Sequence, residues 1–365
     1  MATPISVDQL SPKKTNKILV RRVRPDRSQQ VRQTVQWLFV ALNAWIGLQF
    51  YLWVRYYERG GVGFYVPRPA GVEGWLPIAG LMNSKYLLAT GRMPAVHPAA
   101  MYLFLGFLLM SVLLKKAFCS WLCPVGTFSE NLGKIGQRIF KSNFRLPAWL
   151  DLPLRGLKYL LLAFFVWIIG GMSAEALDGF MATPYGVVAD VKMLNFFRDI
   201  GVTAAIVIGV LVVLSVLVQN FWCRYLCPYG ALLGIASLLS PVKIRRDVEA
   251  CIDCGKCAKA CPANLKVDEL VQVRSVECNA CMACVAACSS QDALQFALQA
   301  RKQVTRQQRW YRRALNPLAV TAVIAYIFFG VILLARATGH WQTNIPQQVY
   351  MNLVPNANEV THPGI

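Results

Sequence analysis

Twelve cysteines carry the chemistry legible in this chain of 365 residues, and all of them fall in repeated short spacings. Residues 251–262, CIDCGKCAKACP, read C-x2-C-x2-C-x3-C-P, and residues 278–288, CNACMACVAAC, repeat the four-cysteine spacing. Cysteines two residues apart turn three thiolates to one side of a tight loop, which grips a cubane of iron and sulfide. The fourth, three residues on, reaches the neighbouring cubane. The spacing therefore predicts two 4Fe–4S clusters. Cys251, Cys254, Cys257 and Cys288 would hold one, and Cys261, Cys278, Cys281 and Cys284 the other. Zinc sites pair C-x2-C units at longer separations and fit poorly. Ser289 stands after Cys288 where the first motif has Pro262. That proline stiffens a turn and donates no ligand, so the departure bears on a cluster's potential and not on its existence.

The other four cysteines form two C-x3-C-P motifs, Cys119 with Cys123 and Cys223 with Cys227. On a helix such a pair shares one face, and the following prolines suit a turn or a first helical position. Four thiolates in two identical motifs point to a further metal centre, iron–sulfur or copper(I), or to a dithiol relay. Buried packing is the structural alternative. No acid–base set accompanies the cysteines, so no catalytic residue is assigned. His97, His340 and His362 are expected to cap or hydrogen-bond, with a haem between His97 and His340 as the functional alternative. Glu73, Glu175, Asp178 and Asp190 read as loop residues, quinol protons being their functional alternative.

The elements that position these motifs are apolar. The chain is 56% hydrophobic with a mean hydropathy of +0.41, above the roughly 45–50% apolar usage of soluble domains. A helix crosses the hydrocarbon layer with about 20 apolar residues. Five stretches qualify: 35–57, 99–117, 157–176, 200–222 and 315–335. The expected fold is an α-helical integral membrane protein with about five transmembrane helices and an inserted α+β ferredoxin domain of the bacterial 2(4Fe–4S) type. Residues 75–90 are apolar but short, as in an interfacial or re-entrant helix. Trp53, Tyr56, Tyr57, Trp310, Tyr311 and Trp341 fall near span ends, where aromatic belts lie.

The net charge of +20 is segregated. Eight Lys/Arg precede the first span, eight lie between Lys115 and Lys158, and fourteen between Arg224 and Arg313, whereas the alternate segments hold few. By the positive-inside rule the N-terminus and the ferredoxin insert are cytoplasmic and the C-terminus periplasmic, in a multi-pass protein of a bacterial inner membrane. Basicity thus reports topology in lipid, and no nucleic-acid partner is needed. Lys243, Arg245, Arg246, Lys256 and Lys259 give the insert a basic surface that serves the membrane face or an acidic redox partner. KKAFCSWLCPVGTFSENLG at 115–133 and QNFWCRYLCPYGALLGIAS at 219–237 match in aromatic, cysteine, proline and glycine positions, a repeat in parallel orientation. The expected parts are a basic N-terminal segment at 1–34 and membrane halves at 35–133 and 134–240. The ferredoxin domain follows at 241–313, a last span at 314–336 and a periplasmic tail at 337–365.

FCSWLCP at 118–124, FWCRYLCP at 221–228 and the tandem motifs at 251–262 and 278–288 resemble the membrane-bound polyferredoxins of the NapH/NosR/CcoG type. The likeness covers roughly residues 35–300 and is nearest to short members without large extra domains. It implies electron transfer from quinol toward a redox partner, or copper reduction and metal handling for metalloenzyme assembly. The residues themselves also allow a redox-sensing membrane scaffold. One membrane core serves several partners in such a group, so the likeness implies electron transfer more firmly than any substrate.

Overall fold

The computed structural model describes residues 21–22, 26–298 and 314–363. Most of the basic N-terminal segment, together with Trp310 and Tyr311, lies outside the described residues. Helices occupy all five apolar stretches: α1 (Ser28–Glu58), α3 (Pro98–Leu114), α6 (Ala148–Gly171), α10 (Val202–Leu217) and α14 (Pro317–Ala337). Of these, α1, α6 and α14 are long and apolar enough to cross a membrane. Helix α10 joins them if it is counted with α9 (Ala189–Arg198), from which it bends by 81°. The other two are shorter than expected because the cysteine motifs turn the chain early. Lys115, at φ 61°, follows the last residue of α3, and Asn220, at φ 58°, leads out of α10. Helix α2 (Pro77–Thr90) forms where the short apolar stretch predicted one.

The chain divides into two compact units. Unit 1 comprises Met1–Phe39, Leu108–Leu160 and Val212–Tyr326. Its ferredoxin part is framed by antiparallel strands β1 (Val242–Arg246) and β2 (Leu294–Leu298), in register from Val242↔Leu298 to Arg246↔Leu294. Val242, Ile244, Leu294 and Phe296 bury on this ribbon. Between the strands run the two cysteine motifs, carrying the single-turn helices α12 (Lys256–Lys259) and α13 (Ala283–Ala286). A two-stranded ribbon is marginal by itself, and here the rest of unit 1 supports it. Helices α4 (Ala117–Trp121), α5 (Pro124–Phe140) and α11 (Pro228–Ala236) complete the unit around the C-x3-C-P motifs.

Unit 2 comprises Val40–Phe107, Leu161–Leu211 and Ile327–Ile365. Its core joins Phe50, Trp53, Val54 and Tyr57 of α1 to Val188 and Val191 and to Tyr350, Val354 and Ala357 of the tail. Trp53 and Tyr57 are therefore core residues and not belt residues. Trp53 meets Tyr350 edge-on at 5.0 Å between ring centroids. The tail is ordered by this burial, and Lys192 Nζ donates to the carbonyls of Ala357 (2.8 Å) and Val360 (2.7 Å). Helix α2 lies so close to α3 that a Cβ on Gly80 would meet the Ala100 carbonyl at 2.8 Å.

Candidate metal centres

The two ferredoxin motifs fold into the same backbone shape. Asp253 and Gly255, flanking Cys254, have φ of 53° and 69°, and Ala280 and Met282, flanking Cys281, have 53° and 57°. Left-handed residues on both sides of the second cysteine curl the loop so that thiols and amides face inward. Concave runs of backbone N–H favour an anionic guest. Glycine takes this conformation freely, while Met282 and Ala280 adopt it against their side chains' preference. Arg246 ties the first loop by donating to Asp253 Oδ1 at 3.0 Å and to the Leu270 carbonyl at 3.1 Å.

Cys261, Cys278, Cys281 and Cys284 line a single cavity, with Ile244, Leu265, Val267 and Val273 as its apolar wall. Cys257 shares electrostatic surroundings with Cys251 and Cys288, and Cys288 with Cys251 and Cys254. Cys284 feels Cys257 as well as Cys281, Cys278 and Cys261, so the two groups of thiols adjoin. Cys254 is exposed, while Cys257, Cys278, Cys281 and Cys284 are buried, and all twelve thiols are free. Burial pushes the Cys257 thiol up to about 11 and the Cys281 thiol to about 12. Such thiols ionise readily only beside added positive charge, which iron supplies. Among the described residues, no three His, Cys, Asp or Glu side chains lie close enough to hold one metal ion. Four thiols per set, on loops of this shape, are the donor set that a cubane of iron and sulfide takes.

The C-x3-C-P pairs do not ride on one helix face as expected. Cys119 sits within α4, which ends at Trp121, and Cys123 is the N-cap of the next helix, α5. Likewise Cys223 lies in a π-helical turn, Trp222–Leu226, and Cys227 caps α11. Pro124 and Pro228 take the first-turn positions anticipated for them. Cys227 Sγ accepts from the Gly230 amide at 3.3 Å. A Cβ on Gly126, the matching glycine, would come within 2.3 Å of the Cys119 carbonyl, so only glycine fits there.

Sequence reasoning missed the side chains that hold the second ferredoxin loop. Lys115 Nζ donates to the carbonyls of Arg274 (3.2 Å) and Ser275 (3.1 Å). Lys158 pairs with Glu277 at 2.6 and 2.8 Å. Ser120 and Trp121 donate to the carbonyls of Asn279 and Ala280. Gln29 reaches the Cys281 carbonyl at 2.8 Å, and Arg22 the Val285 carbonyl at 3.1 Å. Arg32, 2% exposed, is clamped by Glu130 at 2.6 and 2.7 Å and also donates to the Ser120 carbonyl. Conversely, the expected basic surface of the insert shrinks. Lys243 and Arg246 are buried, while Lys256 and Lys259 stay exposed near Cys254.

In unit 2, Glu73 and Asp190 are not ordinary loop residues. Arg68 binds Glu73 at 2.8 Å and Asp190 at 2.6 Å, all three nearly buried. His97 Nε2 donates to the Gly186 carbonyl at 2.9 Å and Nδ1 faces Glu73 Oε1 at 3.2 Å. Both ring nitrogens are engaged, which removes the haem alternative for this histidine. Burial opposes ionisation of Glu73, yet Arg68, His97 and Thr343 hold its carboxyl at about 2.

Comparison with known proteins agrees with this geometry. A 4Fe-4S dicluster domain model matches residues 243–289, and a 4Fe-4S binding domain model matches twice, at 96–143 and 200–247. The Escherichia coli protein YccM, whose name proposes electron transport, is 51% identical over 331 residues, covering 91% of each chain. The ferredoxin-type protein NapH of Escherichia coli is 25% identical over 226 residues, 59% of this chain and 73% of NapH. The regulatory protein NosR of Pseudomonas aeruginosa is 28% identical over 177 residues, 47% of this chain and 23% of NosR. No solved structure matches at a significant level. With nine-tenths of YccM matched at half identity, this chain belongs to the family of membrane-associated ferredoxin-type proteins.

Proposed function

We propose that this protein relays electrons between the quinone pool and a redox protein partner through two 4Fe–4S clusters. Cys251, Cys254, Cys257 and Cys288 hold one, and Cys261, Cys278, Cys281 and Cys284 the other. Such clusters, when bound, supply one-electron storage and transfer. The observation that carries the reading is the paired loop shape, left-handed on both sides of Cys254 and of Cys281, in a chain with membrane-length helices.

The chain's own residues position and tune. Arg246 fixes the first loop through Asp253. Lys115, Lys158, Ser120 and Trp121 fix the second. Arg32 places a buried positive charge near Cys281, which favours the more reduced, more negative state of whatever that thiolate binds. Exposed Cys254 lies beside exposed Lys256 and Lys259, a surface that suits an acidic redox partner.

The same reading has five membrane crossings in two parallel halves, with the ferredoxin domain cytoplasmic and the tail periplasmic. The segregated Lys/Arg support that orientation, and the double match of one domain model supports the repeat. Anoxic protein in liposomes, titrated with quinols of graded potential and followed by electron paramagnetic resonance, tests the relay. Cluster signals should grow with quinol. Clusters that dithionite reduces and no quinol does would remove the quinone pool from the scheme.

A further inference from the structure

Outside the ferredoxin loops, neither half of the chain has enough thiols for a cluster of its own. Residues 96–143 contain Cys119 and Cys123, and residues 200–247 contain Cys223 and Cys227. A cubane takes four thiolates. Unit 1 brings the two pairs together. The rings of Phe118 and Tyr229, one from each motif, meet edge to face at 5.9 Å. A Cβ on Gly230 would touch both Cys227 Sγ (3.5 Å) and Lys116 Nζ (3.6 Å), so the lysine of the first motif and the thiol of the second flank the same glycine. Cys223 interacts electrostatically with Cys227, Cys123 and Cys119.

The surroundings favour an anion. Lys116 is 6% exposed, and Cys119, Glu277, Cys227 and Cys223 all act on its charge. A buried ammonium is costly without negative charge close by. The Gly230 amide points at Cys227 Sγ from the first turn of the nine-residue helix α11. The loop next to them is one of the ferredoxin loops: Ser120 and Trp121, between Cys119 and Cys123, donate to the carbonyls of Asn279 and Ala280, between Cys278 and Cys281.

We propose that Cys119, Cys123, Cys223 and Cys227 together ligate one further iron–sulfur cluster, shared by the two halves and adjoining the loop of Cys278 and Cys281. The site extends the electron-carrier reading and rests on it for its use. Lys116 is a positioning residue that offsets the cluster's charge.

Full-length protein, reconstituted anoxically in detergent with iron and sulfide, tests this through iron, sulfide and copper content and through paramagnetic resonance after dithionite. The wild type should carry two or four irons beyond the about eight of the ferredoxin loops. C123S/C227S should lose that excess and keep both ferredoxin signals, and K116M should shift the potential of the third signal alone. The wild-type count decides even if a variant fails to fold. About eight irons, with these four thiols open to alkylation or filled by copper, would overturn the third cluster and leave the electron carrier standing. Protein without iron would overturn both.

Discussion

The indole N–H of Trp121 donates to the carbonyl of Ala280 at 3.2 Å, with the ring fully buried. Ala280 is one of the left-handed residues that shape the second ferredoxin loop. A side chain of a C-x3-C-P motif thus fixes a backbone conformation needed 159 residues away. Residues 274–281 form no regular element, so long-range side chains do the work that a ladder of backbone bonds does elsewhere.

Trp121→Phe keeps most of the buried ring and removes the donor. The Ala280 carbonyl then loses this partner in the interior, at a cost of about 1–3 kcal/mol. Thermal unfolding in detergent should report that loss. The signals assigned to Cys261, Cys278, Cys281 and Cys284 should broaden before those of the other set. Equal broadening of both would mean that the bond does not act on this loop.

Glu277→Gln tests the buried pair beside Cys278. The Lys158 side chain is 0% exposed and Glu277 11%, and removing one member of such a pair costs about 3–5 kcal/mol by stranding the other charge. K158M/E277L, which removes both charges, should recover much of the loss. Tyr159 also donates to Glu277 at 3.1 Å, so recovery should be incomplete. A double variant no more stable than E277Q would show that the penalty is not electrostatic.

The contrast between these residues and the cysteines explains what was legible in the sequence. The cysteine spacings are local, so the dicluster ferredoxin domain was legible from residues 251–288 alone. Apolar runs likewise announced α1, α3, α6, α10 and α14. Their ends were misplaced because the turns at Lys115 and Asn220 owe nothing to hydropathy: these residues simply take φ near 60° where the chain must break. Lys115 and Lys158 read as positive-inside surface charges, yet both are 0% exposed. Their partners stand more than 100 residues away, and periodicity carries no signal for such pairing. Trp53 misled for the same reason: expected in an aromatic belt, it meets Tyr350 only in the folded unit.

The Arg68–Glu73–His97–Asp190 network gives unit 2 a pH dependence of known sign. Burial opposes ionisation of Glu73, but its partners lower its folded value from 4.5 to about 2. Its stabilisation is therefore complete above pH 4.5 and is lost as pH falls from there toward about 2. For His97, burial lowers the value and the hydrogen bond and charge of Glu73 outweigh it, leaving the imidazole above its ordinary 6.5. That contribution is complete below 6.5 and is lost as pH rises through the folded value. Melting temperature against pH should thus fall on both flanks. Glu73→Gln should flatten the acid flank and move the alkaline one to lower pH. An unchanged acid flank in E73Q would assign it to other carboxylates.

The exchange of the fourth ligand between the two cysteine motifs can be decided by one double variant. If Cys288 completes the set of Cys251, Cys254 and Cys257, then C251S/C288S damages a single cluster. Cys261, Cys278, Cys281 and Cys284 all remain, and about four irons should be lost. If each motif instead kept its own four cysteines, the same two substitutions would fall on different clusters and about eight irons would be at risk. C251S/C261S supplies the opposite arm: both clusters under exchange, one without it. The cavity lined by Cys261, Cys278, Cys281 and Cys284 together favours exchange. The expected outcome is one surviving set of signals in C251S/C288S and none in C251S/C261S, read by iron content and paramagnetic resonance on anoxic protein. The reverse pattern would refute the assignment while leaving both clusters in place.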